Sequence, residues 1–142
     1  MISYSIDAAY KSDCFDRVIV STDDVEIAEI AKLYGAEVPF FRPDELSGDH
    51  VGTLPVIKHA VEWAHRKNDD QVDYVCCLYA TAPFVQAQAI ALALEQLQVA
   101  KANYCLAVTS FAFPIQRAVK LTDQNKLEMF YPDYANTRSQ DL

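Results

Sequence analysis

Short runs rich in β-branched residues alternate with helical stripes along this chain, and that alternation constrains the fold more than any other feature. Residues 16–21 (DRVIVS), 37–41 (EVPFF), 73–79 (DYVCCLY) and 104–110 (YCLAVTS) each read as a buried strand. Helical spacing links Ile2, Ile6 and Ala9 ahead of the first strand. A second stripe runs through Val25, Ile27, Ala28, Ile30, Ala31 and Leu33 and stops at Gly35, where a helix end favours glycine. A third has Leu54, Ile57, Val61 and Ala64 on its inner face, with Thr53 as cap and Pro55 in its first turn. A fourth follows the Thr81-Ala82-Pro83 break and carries Ile90, Leu94 and Leu97. After Phe113-Pro114 the rhythm changes, and residues 118–121 and 127–131 predict a small hairpin around Asp123-Gln124-Asn125. Repeated strand-to-helix alternation implies an α/β fold, a parallel sheet with helices on both faces and right-handed crossovers. Ligands in such sheets bind beyond the carboxyl ends of the strands. The loops of interest are therefore 21–24, 42–53, 79–84 and 110–117.

Composition narrows the function. The 142 residues are 51% hydrophobic, enough for one domain with a sizeable core, and no stretch is of low complexity. The net charge of -8 disfavours nucleic acid and anionic membrane as partners, while leaving room for a small anion held by local cations. Four cysteines, Cys14, Cys76, Cys77 and Cys105, form no C-x-x-C pair and are expected to be buried, reduced thiols in a reducing compartment. Apolar stretches fall far short of the ~20 residues of a membrane span, so a cytoplasmic protein is expected.

Several residues could carry chemistry. Arg42 stands on a loop at a strand's end, where its planar fork could grip a phosphate or a base carbonyl; the plainer alternative is a surface arginine. Thr53 at a helix start offers a hydroxyl beside free N–H groups, although capping is the commonest role of such a threonine. Ser21-Thr22-Asp23-Asp24 could hold a metal, but capping accounts for it better. His50, His59 and His65 lack metal-ligand spacing, so no metal site is assigned. Arg117 and Arg138 accompany Phe111, Phe113, Phe130, Tyr131 and Tyr134, a combination suited to a carboxylated sugar or to an interface. With three glycines and no phosphate-loop motif, a glycine-rich cradle cannot form within these residues.

Taken together, CFDRVIVSTDDVEIAEIAKLYGAEV, RPDELSGDHVGTLPVIKHAVEW and CLYATAPF resemble the acylneuraminate cytidylyltransferase family in content, order and spacing. FPIQRAVKL, MFYPDYANTRSQDL and the loop Tyr79-Ala80-Thr81-Ala82-Pro83-Phe84 resemble its pseudaminic acid branch. The resemblance covers essentially the whole chain. It implies a Rossmann-like nucleotidyltransferase fold, a three-layer sandwich, usually dimeric. It implies coupling of CTP to a nonulosonic acid, pseudaminic or sialic, with release of pyrophosphate and with Mg²⁺ screening charge. Arg42, Val51, Thr53 and Thr81 would then face the nucleotide, and Tyr79, Arg138 and Gln140 the sugar.

The same resemblance places the family's triphosphate loop and metal-binding aspartates outside residues 1–142. The expectation is thus one partial domain over 1–142, inactive alone and prone to form homo-oligomers. Alternatives are a non-catalytic nucleotide-binding or dimerisation module derived from that family, and a different sugar-nucleotide transferase sharing the fold.

Overall fold

In the computed structural model, helix α1 (Ile2–Ser12) buries Ser5, Ile6, Ala8 and Ala9, the face that the apolar spacing predicts. The structure describes all residues except Asp69, Asp70 and Phe111, together with the side chains of Lys67 and Asn68. The described chain divides into two compact units, Met1–Cys105 and Leu106–Leu142.

The first unit is built around two parallel contacts between the segments that the sequence marks as strands. Ile19 bridges Glu37 and Thr22 bridges Phe41. The Val20 N–H donates to the Glu37 carbonyl and the Glu37 N–H to the Val18 carbonyl, each at 2.8 Å. Helix α2 (Val25–Leu33) provides the crossover between these segments. Asp24 caps it by accepting from the Ile27 N–H at 2.9 Å, which settles one orphan donor of the first turn. Gly35 ends the turn at φ 91°, a conformation that costs a side-chain-bearing residue far more than glycine. The Tyr10 hydroxyl from α1 donates to the Gly35 carbonyl at 2.5 Å. Ile6, Ala31 and Ala36 form the core there, with Ile2, Val18, Val20 and Val38 packed around them.

The buried stripe of α2 is narrower than its sequence suggests. Ala28 and Ala31 are buried, whereas Val25, Ile27, Ile30 and Leu33 are exposed. Small side chains let α2 approach closely, and the described residues offer the larger ones no second surface.

Helix α3 (Thr53–Asn68) and helix α4 (Ala87–Val99) complete the unit, and α4 packs on α1. Phe40 meets the His59 ring of α3 edge-on at 4.7 Å and Trp63 at 5.6 Å, while the Arg17 guanidinium lies 5.1 Å from the Trp63 ring centre. His59 therefore serves packing, and His50 and His65 are exposed.

Two expectations need correction. Residues 73–79 and 104–110 have no strand ladder among the described residues, and Tyr74, Val75, Tyr104, Leu106 and Val108 are exposed rather than buried. A strand exists only where a neighbour accepts its hydrogen bonds, and these segments meet no such ladder among the described residues. For the same reason three of the four free thiols, Cys76, Cys77 and Cys105, are exposed, while Cys14 is half-buried.

The second unit contains the expected hairpin. Strand β1 (Val119–Leu121) pairs antiparallel with β2 (Leu127–Met129), Val119 opposite Met129 and Leu121 opposite Leu127. Asn125 takes a left-handed φ of 57°, which Asn tolerates well, and its N–H donates to the Thr122 carbonyl at 2.9 Å.

The left-handed backbone at Gly35 yields a stability prediction. A Cβ there would lie 3.5 Å from the Tyr10 ring, an ordinary contact, so the cost of Gly35→Ala is conformational. We expect a loss of about 1–2 kcal/mol in urea unfolding; an unchanged midpoint and slope would contradict it.

Candidate functional site

The parallel contact at Thr22 and Phe41 delivers Arg42 to the end of the strand pair. The Arg42 N–H donates to the Thr22 carbonyl at 2.8 Å. Its side chain then turns onto two partners: Nη2 donates to Asp23 Oδ1 at 2.8 Å and Nε to Ser47 Oγ at 3.2 Å. Ser47 in turn donates to the Pro43 carbonyl at 3.0 Å, within the short 3₁₀ turn Asp44–Leu46 and its flanks. Arg42 is thus held in place by its own loop and by the preceding strand-to-helix turn. The Arg42 hydrogen bond holds the Asp23 carboxyl below the ordinary aspartate range. Sequence reasoning singled out Arg42 but not Asp23 or Ser47 as its partners. The only available signal was that both loops follow parallel strands.

A similar ion pair braces the strands beneath. Arg17 Nε donates to Glu37 Oε1 at 3.0 Å, and Nη2 reaches Oε2 in a bidentate pair. That hydrogen bonding lowers the Glu37 carboxyl against the opposing effect of its partial burial.

Thr53 departs from its expected role. It is the first residue of α3 rather than its cap, and its hydroxyl lies 2.8 Å from the Tyr79 hydroxyl. Two residues assigned to opposite sides of the expected site, nucleotide and sugar, are therefore in direct contact. Val51 is half-buried in the loop between Arg42 and Thr53, with its N–H on the Gly48 carbonyl at 3.0 Å. Thr81 is exposed in the turn that Ala82 closes by donating to the Tyr79 carbonyl at 3.1 Å.

In the second unit, Arg138 pairs with Asp141 through Nε at 2.6 Å and Nη2 at 3.1 Å, and Gln140 is exposed in the same 3₁₀ turn, Ser139–Asp141. Arg117 donates from Nη1 to the Ala135 carbonyl at 3.2 Å and from Nη2 to the Thr137 carbonyl. The two arginines thus engage backbone carbonyls and a carboxylate of their own unit. Phe111, one of the aromatics expected beside them, lies outside the described residues.

Magnesium finds no fitting set of ligands here. Asp23 is occupied by Arg42 and Asp24 by its cap, and among the described residues no group of three or more His, Cys, Asp or Glu side chains comes together. Two shallow depressions, of about 430 Å³ at the tip of the hairpin and about 340 Å³ beside Glu62, His65 and Arg66, include none of the candidate residues. No helix among the described residues is long and apolar enough to cross a membrane.

An arginine loop and a helix start that follow two parallel backbone bridges, among helices, fit an α/β fold, in which ligands bind beyond the carboxyl ends of the parallel segments. The chain belongs to the cytidylyltransferase family, whose sequence model matches residues 1–139. It is 42% identical over 142 residues to the pseudaminic acid cytidylyltransferase of Campylobacter jejuni subsp. jejuni serotype O:2, covering all of this chain and 61% of that protein. It is 39% identical over 142 residues to the pseudaminic acid cytidylyltransferase of serotype O:23/36, with the same coverage. It is 33% identical over 138 residues to the N-acylneuraminate cytidylyltransferase of Escherichia coli O18:K1:H7, covering 95% of this chain and 31% of that protein. The chain therefore spans 61% of the length of its Campylobacter relatives.

Asp23 supplies a pH prediction. Its folded-state titration lies below its unfolded one, so the pair's contribution is complete above the ordinary aspartate range and disappears as pH falls through the lowered value. Carboxyl carbon NMR should find the Asp23 midpoint low in the wild type and back in the ordinary range in Arg42→Ala. Equal midpoints would mean that the pair does not form in solution.

Proposed function

We propose that this chain is the nucleotide-handling portion of a cytidylyltransferase that couples CTP to a nonulosonic acid, pseudaminic or sialic. The observation that carries the reading is the family match over residues 1–139, joined to an Arg42 whose position at the end of the parallel strand pair is built rather than incidental. In this reading the anomeric hydroxyl of the sugar attacks the α-phosphorus of CTP, the bond to the pyrophosphate leaving group breaks, and the hydroxyl proton passes to solvent or a base. Arg42, Val51, Thr53 and Thr81 bind the nucleotide. Arg42 supplies a pinned fork, so little side-chain entropy is lost on binding. Thr53 supplies a hydroxyl beside the free N–H groups of the first turn of α3. Tyr79, beside Thr53 in the first unit, is a sugar contact. The described carboxylates do not gather into a set that would hold the magnesium expected of the full reaction.

We assign the finer architecture, a Rossmann-like nucleotidyltransferase fold of three layers, on the same grounds. A cytoplasmic location fits the free, largely exposed thiols. The exposed Leu106 and Val108 favour a second reading, a dimerisation module that does no chemistry. Sedimentation at high micromolar concentration tests the module reading, which requires a dimer; a clean monomer mass removes it.

The nucleotide assignment predicts weak CMP binding that Arg42→Ala and Thr53→Ala each reduce by about 1–3 kcal/mol in calorimetric titration, the cost of losing a charge-assisted or buried bond. Equal affinity in all three proteins would refute it. The 142-residue chain alone should release no detectable pyrophosphate from CTP, Mg²⁺ and pseudaminic acid, because it carries neither a glycine-rich phosphate cradle nor a gathered set of described carboxylates. Robust release that vanishes in Arg42→Ala would show that the described residues suffice.

A further inference from the structure

We infer that Ser5 is a positioning residue for the Thr53–Tyr79 hydroxyl pair, an inference that rests on the nucleotide and sugar roles proposed above. Ser5 is on the inner face of α1, 5% exposed, among Ile6, Ala8 and Ala9. Its hydroxyl donates at 2.9 Å to the Tyr79 carbonyl, 74 residues away in sequence. That carbonyl also accepts the Ala82 N–H at 3.1 Å, so both of its lone pairs are used. Tyr79 as a residue is 60% exposed, and packing therefore does little to orient its side chain. Its direction is set at two ends: by the backbone anchor on buried Ser5 and by the 2.8 Å contact of its hydroxyl with Thr53 at the start of α3. A helix remote in sequence from both ligand loops thereby determines where the tyrosine stands. Removing the Ser5 hydroxyl leaves the Ala82 bond and the turn intact, so the expected effect is on placement more than on folding.

The test uses the full chain labelled with 3-fluorotyrosine, the Tyr79 resonance being assigned by its loss in Tyr79→Phe. Without ligand, Ser5→Ala should shift or broaden the Tyr79 signal, as should Thr53→Val, and circular dichroism should show the same melting for Ser5→Ala and wild type. Ser5→Thr keeps the hydroxyl and should restore the wild-type signal. In a CMP titration the wild-type Tyr79 signal should move, and Ser5→Ala should weaken CMP binding by about three- to tenfold, the equivalent of one ordinary hydrogen bond. The inference is overturned if Ser5→Ala leaves the ligand-free signal unchanged, or if Ser5→Thr behaves like Ser5→Ala, since the effect would then belong to helix packing. A wild-type affinity for CMP that Thr53→Val leaves unchanged sinks the nucleotide reading instead, and the ligand-free comparison still decides the anchor.

Discussion

The parallel contact between residues 18–22 and 37–42 is the constraint on which the first unit depends. Backbone bonds at 2.8 Å from Val20 to Glu37, Glu37 to Val18 and Arg42 to Thr22 hold two segments in one register. Side chains alternate along a strand, so this register decides which ones reach the core. Val18, Val20 and Val38 turn toward Ala31 and Ile6, while Arg17 and Glu37 meet as an ion pair. A slip of one residue would reverse both sets. The same register sets Arg42 beside Asp23, so the arrangement of the candidate site is a consequence of backbone pairing.

Electrostatics at that site are local. The chain is acidic overall, yet Arg42 lies against Asp23 and Arg17 against Glu37, and both carboxyls are held low by the arginine they accept from. Exposed pairs of this kind add little to stability, because solvent screens them and ordering two side chains costs entropy. Their more useful effect is orientation: a guanidinium tied through Nη2 and Nε presents its remaining edge in a fixed direction. The contact between the Thr53 and Tyr79 hydroxyls works similarly, joining a helix start to a turn without a charge.

Much of this was legible beforehand where the physics is local. Asp24 as a cap, Gly35 as a stop, the four helices and the hairpin turn at Asn125 all follow from hydrogen-bonding groups within a few residues of each other. The family could be read from RPDEL, STDD and the 79–84 loop, and the match over residues 1–139 bears it out. Arg42 and Thr53 stood out because each sits at an element boundary. The pairings of Arg42 with Asp23, Thr53 with Tyr79 and Ser5 with Tyr79 did not, since each joins segments whose proximity is a property of the folded chain. The thiols of Cys76, Cys77 and Cys105 were misplaced for a related reason: apolar composition records a capacity for burial, and burial requires a neighbour.

By itself, the sequence determined the helices and their order, the Asp24 cap, the hairpin and the family. Those properties depend on periodicity, propensity and short-range hydrogen bonds, which a linear string contains. Tertiary structure alone decided that Thr53 would spend its hydroxyl on Tyr79 rather than on its own helix, that α2 would bury alanines and expose its larger residues, and that residues 73–79 would carry no ladder. Each outcome turns on which surfaces meet across dozens of residues. A hydroxyl, an isoleucine and a strand edge can all be satisfied in more than one way, and the choice is made by the partner that the fold brings within reach.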